Sequence, residues 1–228
     1  MKISVIMSVY NSNNSLKDSI ESILNQTYEN LELLICDDVS SDKSYDVCLG
    51  YEKNDSRVRI LRNNRNIGLT KSLNKLIEVS KGDLIARQDS DDISLINRFE
   101  KQIYYFKNQN YDAILSRAKR KESNKVIPNY SYYIPNKLSI KYKNPFIHGT
   151  LMIKKEVLQE LGNYNENFYY SQDYKLFTDL LNKGYKIKHI KEPLYLLNMK
   201  DNISTNFKKE QDYYSKCVRK NKDPNKYI

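Results

Sequence analysis

The sequence predicts an α/β fold: along residues 2–92, short apolar runs of strand length alternate with amphipathic helical segments. Three observations carry this reading. Lys2–Tyr10 is almost wholly apolar, as a strand covered on both faces should be. Helical spacing follows at Leu16, Ile20, Ile23 and Leu24, and again at Leu69, Leu73, Leu76 and Ile77. The apolar runs Leu31–Cys36, Val58–Leu61 and Leu84–Gln88 stand between and after the helical segments. That is the β-α-β-α-β-α-β order of a Rossmann-like half built on a mostly parallel sheet flanked by helices.

In chain order, Ser15 is expected to cap the first helix, and Ser41 or Asp42 a second helix reaching Lys53. Asn63–Gly68 reads as a loop before the third helix, Leu69–Val79, and Lys81-Gly82-Asp83 as the turn into the fourth strand. The second half is less regular. Ile96–Asn108 reads as helix, Ala113–Ser116 as strand, and Ser123–Pro145 as a polar, Tyr-rich connection. Phe146–Lys154 reads as strand, Glu156–Leu161 and Tyr174–Asn182 as helices ended by Gly162 and Gly184, and Tyr185–Ile190 and Pro193–Met199 as closing strands. With no repeat and no clear linker, residues 1–206 read as one domain divided near residue 92, and 207–228 as a basic C-terminal extension.

The 228 residues suffice for one sizeable core, with 39% hydrophobic and 29% charged residues. No apolar run approaches the roughly 20 residues of a membrane span. The apolar start is short and runs into Asn11-Ser12-Asn13-Asn14, so it reads as a strand rather than a signal peptide. Cys36, Cys48 and Cys217 have no metal-binding or disulfide spacing, which fits a reducing cytoplasm. The formal net charge of +10 calls for an anionic partner. Its excess is uneven: eight Lys or Arg against one acid in 117–143, and seven against three from Phe207 onward. Either stretch is a solvated surface or a patch facing anionic lipid.

Three acidic groups carry the chemistry. Asp89, Asp91 and Asp92 follow directly on the fourth strand, so the topology sets them at the carboxyl edge of the sheet, where such folds bind ligands. Their mutual repulsion calls for a cation, and hard oxygen ligands suit Mg²⁺ or Mn²⁺ shared with substrate phosphates. Asp37-Asp38 end the second strand at the same edge, placed to accept hydrogen bonds from a base or a ribose. Asp173, in Phe168-Tyr169-Tyr170-Ser171-Gln172-Asp173, opens a helix, where a carboxylate is also favoured by the helix dipole alone. Other chemistries are excluded or disfavoured. No Gly-x-Gly-x-x-Gly or Walker lysine motif follows the first strand, and the only histidines, His148 and His189, are far apart.

Together, in order and spacing, these segments resemble the family 2 glycosyltransferases, inverting enzymes of GT-A fold. The resemblance runs from Lys2 to about Tyr195. It rests on Ser4–Asn11, Ser22–Tyr28, Asp37-Asp38 with Ser40–Asp42, Asn66-Ile67-Gly68-Leu69, Asp89–Asp92 followed by Arg98, His148–Ile153 and Gln172-Asp173. It implies a nucleotide-binding half (1–92) and an acceptor-binding half (93–206). Ser8, Tyr10 and Asp38 would hold base and ribose, with Asn66, Gly68 and Lys71 lining the same pocket. Asp89 and Asp91 would contact the sugar nucleotide, and Asp91 and Asp92 would hold Mn²⁺ or Mg²⁺. Asp173 would be the general base, with His148, Gly149 and Gln172 in the acceptor and diphosphate vicinity. The implied partners are a nucleotide-diphosphate sugar, commonly of UDP, and a glycan or lipid-linked acceptor at the inner face of the cytoplasmic membrane.

This sequence departs from the family at four places: Val39 where glycine is usual, Gln172 for a glutamate, Ile96 for a proline, and Lys175 for a frequent acid. Lys175 is expected to lower the pKa of Asp173. Two other readings stay open. A sugar nucleotidyltransferase would carry a Gly-rich, Arg-containing loop where this chain has Asn11–Asn14. A non-catalytic polyanion binder fits the charge, but no nucleic-acid recognition motif is present, and nucleic acid is not expected as a partner.

Overall fold

The computed structural model describes residues 1–199 and 207–225. The first half follows the expected alternation: β1 (Ile3–Val9), α1 (Asn13–Leu24), β2 (Leu31–Asp37), α2 (Ser44–Asn54), β3 (Val58–Arg62), α3 (Leu69–Val79) and β4 (Leu84–Arg87). The second half comprises β5 (Ile93–Ser94), α4 (Arg98–Asn108), β6 (Ala113–Arg120), β7 (Val126–Ile127), α5 (Asn136–Ser139), β8 (Met152–Lys154), α6 (Lys155–Glu160), α7 (Gln172–Asn182), β9 (Ile187–Leu197) and α8 (Lys208–Arg219). Among the described residues the strands form one sheet in the order β3-β2-β1-β4-β8-β6-β9-β5, with β7 beside β6. The pairs β3–β2, β2–β1 and β1–β4 are parallel, β8 runs antiparallel to both neighbours, and β6–β9 is parallel again.

The period of two along β1 divides the core. Ile3, Val5, Met7 and Val9 face one side, where Leu16, Ile20 and Ile23 of α1 and Phe99, Ile103 and Phe106 of α4 pack on them. Ile6 faces the other side with Leu73, Leu76 and Ile77 of α3 and Phe177 and Leu180 of α7. Helices on both faces explain why β1 and β2 are apolar throughout rather than alternating. The buried Cys36 and Cys48 belong to these two layers. The basic 207–225 stretch forms α8, which lays Tyr214 and Val218 into the α7 side of the core. The boundary at 206 and the final lysine, Lys226, lie outside the described residues. No helix among the described residues is long and apolar enough to cross a membrane.

Several local expectations change. Ser15 does not cap α1, which begins at Asn13; its hydroxyl bonds the carbonyls of Ser12 and Ser90. Asp42 stands two residues before α2 and accepts the Ser44 N–H at 2.9 Å, an Asx turn rather than a cap. The expected strand over Phe146–Lys154 is strand only from Met152; His148–Thr150 form a turn of 3₁₀-helix. The two closing strands are one, β9, in which Pro193 sits at a register shift against Arg117.

The turn after β2 carries a strained residue. Val39 has φ of 64°, in the left-handed region where a β-branched side chain is disfavoured. A glycine, which the resemblance leads one to expect at this position, would relax there. Val39→Gly is expected to raise unfolding stability by about 1 kcal/mol, read from urea denaturation, because the relieved strain exceeds the added entropy of the unfolded chain.

Candidate active site

The site lies along the carboxyl ends of β1, β2 and β4. On the β2 side Asp38 is almost fully buried. Its Oδ1 accepts Asn63 Nδ2 at 2.8 Å and the Ile67 N–H at 2.9 Å, and its Oδ2 the Gly68 N–H at 2.8 Å. Here the carboxylate shapes the 63–68 loop. Gly68 has φ of 85°, and a Cβ there would lie 2.5 Å from the Tyr169 ring, so only glycine lets that ring approach. Asn66 and Lys71 stand exposed on either side of it, Ser8 is half-buried near the end of β1, and the Tyr10 ring beyond it is exposed. The loops after β1 and β2 adjoin along this edge, where Asn11 Oδ1 accepts the Ser41 N–H at 2.8 Å. The edge is joined to the acid cluster by the Ser12–Ser90 hydroxyl contact at 2.8 Å and by Ser19 Oγ donating to the Asp89 carbonyl at 2.7 Å.

The acid cluster is braced from behind. Arg87 and Arg98 are both buried. Arg87 Nη2 contacts Asp89 Oδ1 at 2.5 Å, and its Nη1 bonds the Gln88 carbonyl. Arg98 spends all its donors on protein: Nε on Gln102, Nη1 on Ser94 at 2.8 Å and Gln88, Nη2 on the carbonyls of Arg87 at 3.0 Å and Leu151. Gln88 Nε2 in turn donates to the Asp92 carbonyl at 2.9 Å.

From the second half, β9 reaches into the same loop. The Asp89 N–H donates to the Tyr195 hydroxyl at 3.1 Å, and the Asn198 N–H to Asp92 Oδ1 at 2.7 Å. Gly149 lies against this knot; a Cβ there would strike the Tyr195 hydroxyl and approach Asp89 Oδ2 to 2.8 Å. Burial, reinforced by the charge of Asp89, pushes Asp91 up to about 6. Burial and then both neighbouring carboxylates hold Asp92 well above the usual range. Among the described residues, no three His, Cys, Asp or Glu side chains are grouped to hold a metal by themselves. A divalent cation shared with a diphosphate needs only one or two carboxylates, and neutralisation of crowded acids is what this donor set lacks. Asp91 and Asp92 therefore fit a shared Mg²⁺ or Mn²⁺.

Asp173 sits in the first turn of α7. Its Oδ2 accepts Asn144 Nδ2 at 2.7 Å and its Oδ1 the Tyr174 N–H at 2.8 Å. Burial outweighs these bonds and, with the charge of Asp89 behind it, raises its pKa to about 6. Lys175 has no part in this: it turns to Asp179 at 2.6 Å, contrary to expectation. The buried Gln172 precedes Asp173, and His148 bonds the buried Tyr164 hydroxyl at 2.7 Å, with burial holding its pKa well below the usual value. A cavity of about 260 Å³ opens beside Asp173, bordered by Lys143, Asn144, Ser171, Gln211, Ser215 and Arg219. Of the aromatic run, Phe168 and Tyr174 are core residues, whereas Tyr169 is half exposed over Gly68.

The structure thus brings Asp38 to Gly68, and Asp89 of the acid cluster to Gly149. Sequence reasoning did not find Arg87, Asn144, Tyr164, Tyr195 or Asn198. The arginine adjoining the cluster was a readable signal; the others become neighbours only through the fold.

Comparison with known proteins agrees with this geometry. Residues 4–162 match the model of the family described as glycosyl transferase family 2. The chain is 31% identical over 203 residues to the putative glycosyltransferase EpsE of Bacillus subtilis, covering 85% of this chain and 72% of that one. It is 30% identical over 200 residues to WfaP of Escherichia coli, a UDP-Glc:alpha-D-GlcNAc-diphosphoundecaprenol beta-1,3-glucosyltransferase, covering 82% and 73%. The Pyrobaculum calidifontis mannosyltransferase PcManGT, solved with GDP-Man and Mn²⁺, superposes with a TM-score of 0.76 at 16% identity, covering 98% of this chain and 66% of that one. Of three further solved chains with this fold the protein spans 38%, 63% and 60%. An α/β sheet of GT-A type, an acid cluster on its carboxyl edge and these relatives lead to one assignment: the chain is a glycosyltransferase that belongs to glycosyl transferase family 2.

Proposed function

We propose that the enzyme transfers a sugar, with inversion, from a UDP-sugar to a hydroxyl of a cell-surface glycan or lipid-linked oligosaccharide, at the inner face of the cytoplasmic membrane. The observation that carries the inversion is Asp173: a carboxyl raised to about 6, on a different chain segment from the acid cluster yet within reach of the charge of Asp89. WfaP's donor and diphospholipid acceptor support the substrate classes.

In this reading Ser8, Tyr10, Asn66 and Lys71 contact the nucleoside, Asp38 shapes the loop beneath it, and Asp89 and Asp91 orient the sugar. Asp91 and Asp92 would hold Mn²⁺ or Mg²⁺, as the mannosyltransferase bound to GDP-Man and Mn²⁺ supports. When bound, the cation supplies Lewis-acid stabilisation of negative charge on the leaving diphosphate. Asp173 takes the acceptor hydroxyl proton as that oxygen forms its bond to the anomeric carbon. The bond to the diphosphate breaks on the opposite face, and nucleoside diphosphate leaves. Asn144 and the Tyr174 N–H hold the Asp173 carboxyl in one orientation while it accepts the proton. His148, uncharged and bonded to Tyr164, and Gly149, which admits the Tyr195 hydroxyl and Asp89, shape the wall behind acceptor and diphosphate, and Gln172 opens the helix that carries the base.

A thermal-shift panel of UDP, GDP, dTDP, ADP and CDP, each with and without Mn²⁺, tests the donor site. UDP with Mn²⁺ is expected to raise the melting temperature, and Asp91→Asn to remove the Mn²⁺-dependent part. Silence from every nucleotide under both conditions would remove the basis of the reading.

Asp173→Asn is expected to lower turnover by about 10²–10⁴-fold while the nucleotide shift persists. The pH dependence has a definite sign, because the base must be ionised. Turnover should fall about tenfold per unit below a pH near 6 and level off above it, in a group faced by Asp89 and by Lys143, Asp212 and Arg219 of the adjoining cavity. A rate independent of pH between 5 and 7 would assign the base elsewhere.

A further inference from the structure

Large apolar side chains exposed to solvent are concentrated in one segment. Five of the eleven among the described residues lie between Tyr130 and Tyr142: Tyr130, Tyr133, Ile134, Leu138 and Tyr142, exposed by 85%, 65%, 42%, 49% and 72%. The segment is held firmly. The Tyr132 hydroxyl donates to the His189 carbonyl at 3.0 Å, Ser139 and Ile140 are buried, and the Tyr174 hydroxyl donates to the Ile140 carbonyl at 2.6 Å. Its outward side chains are therefore presented by an anchored backbone rather than left over from a loose loop. Monomeric proteins seldom leave such a concentration uncovered without a use for it.

The charge around the patch names the occupant. Lys125, Lys137, Lys141 and Lys143 are all exposed, and no Asp or Glu occurs from Ser123 to Lys143. Tyrosines interleaved with aliphatic residues and lysines match the chemistry of a bilayer interface. Rings settle at headgroup level, Ile and Leu reach toward the acyl chains, and ammonium groups meet anionic phosphates. A carbohydrate would use the ring faces but has no call for Ile134, Leu138 and four lysines. The patch also runs into the active site, since Lys143 and Asn144 border the cavity beside Asp173, and Asn144 holds the Asp173 carboxyl.

We propose that the 130–143 segment is a membrane-docking surface: it inserts its aromatic and aliphatic side chains into an anionic bilayer and opens the Asp173 cavity toward the lipid face. The inference rests on the reading of a lipid-linked acceptor, and its test is independent of catalysis. A device of this kind shortens the path of a lipid-borne hydroxyl to the base without extraction of the lipid.

The chain contains no tryptophan, so an introduced one reports alone. Leu138→Trp and Tyr142→Trp place the probe in the patch; Tyr104→Trp, exposed on α4, places it elsewhere. With vesicles of phosphatidylcholine containing about 30% phosphatidylglycerol, the two patch probes should shift to the blue and be quenched by brominated acyl chains, and the α4 probe should do neither. The combined Tyr133→Ser, Leu138→Ser and Tyr142→Ser variant should bind these vesicles at least about tenfold more weakly and keep the nucleotide thermal shift of the parent.

Equal response of all three probes, no response of any, or a blue shift that follows protein concentration without vesicles overturns the proposal; the last would mark a contact between two copies. Wild-type protein that responds to nucleotide but ignores the vesicles also overturns it and leaves the glycosyl-transfer reading standing. Patch-dependent vesicle binding without any nucleotide response supports docking and places the failure in the donor site.

Discussion

A guanidinium removed from water must find an acceptor for every N–H, and the burial of Arg98 imposes that condition on the centre of this protein. Among the described residues no carboxylate touches it directly. Its donors go to two side-chain amides, a serine hydroxyl and two backbone carbonyls, drawn from β4 and the residue after it, β5, α4 and the turn before β8. Burial lowers its pKa to about 10, still far above neutrality, so the charge persists inside. The Phe99 and Tyr195 ring faces, each 5.1 Å away, and the more distant charges of Asp89 and Asp92 offset it. Moving any of these segments would leave a buried cation with a free donor. The acid loop is held at the end of β4 by that constraint more than by its own turn chemistry.

The same arrangement joins the halves. β4 is parallel to β1 and antiparallel to β8, so it is the strand at which the regular half gives way to the other. Arg98 spans this boundary through the carbonyls of Arg87 and Leu151, and Tyr195 of β9 and Asn198 just after it close it. On the other flank, Tyr169 lies over Gly68 and Thr70 Oγ1 bonds the Phe168 carbonyl at 3.0 Å, which brings the start of α7 to the loop that Asp38 shapes. Asp173 thus inherits its position from two separate links between the halves.

How much of this was legible depended on whether the signal was local. β1 to β4 and their helices could be read because both faces of the sheet are covered, which turns each strand into an unbroken apolar run. Phe146–Lys154 is equally apolar, yet Gly149 had to meet Asp89 closely, and a 3₁₀ turn serves that contact where a strand would not. Pro193 resembled a break between two strands because it donates no hydrogen bond, whereas β9 absorbs it in a register shift. In α8 the apolar pair Tyr214 and Val218 has helical spacing, but the lysine excess masked it. Asp38, Asp91 and Asp173 stand out in the sequence because they follow directly on apolar strands or open a helix, although the helix dipole explains the last as well. Tyr195 and Asn198 do not, since nothing local marks a residue whose partner lies over a hundred positions away.

The separation of Asp173 from the acid cluster has an electrostatic reason. A fourth carboxylate placed beside Asp89, Asp91 and Asp92 would be held protonated by its neighbours, or would compete with them for a cation bound there. In the role proposed for Asp173, a general base must be ionised near neutrality and still gain by taking a proton, which calls for a modest rise in pKa. The first turn of α7 meets both needs. Burial raises the carboxyl, while the Tyr174 N–H, Asn144 and the positive end of the helix limit the rise. The charge of Asp89 reaches it only at a distance. A favourable dipole in the first turn of the helix, the ordinary structural reason for an aspartate there, would thus also poise the residue for its proposed role.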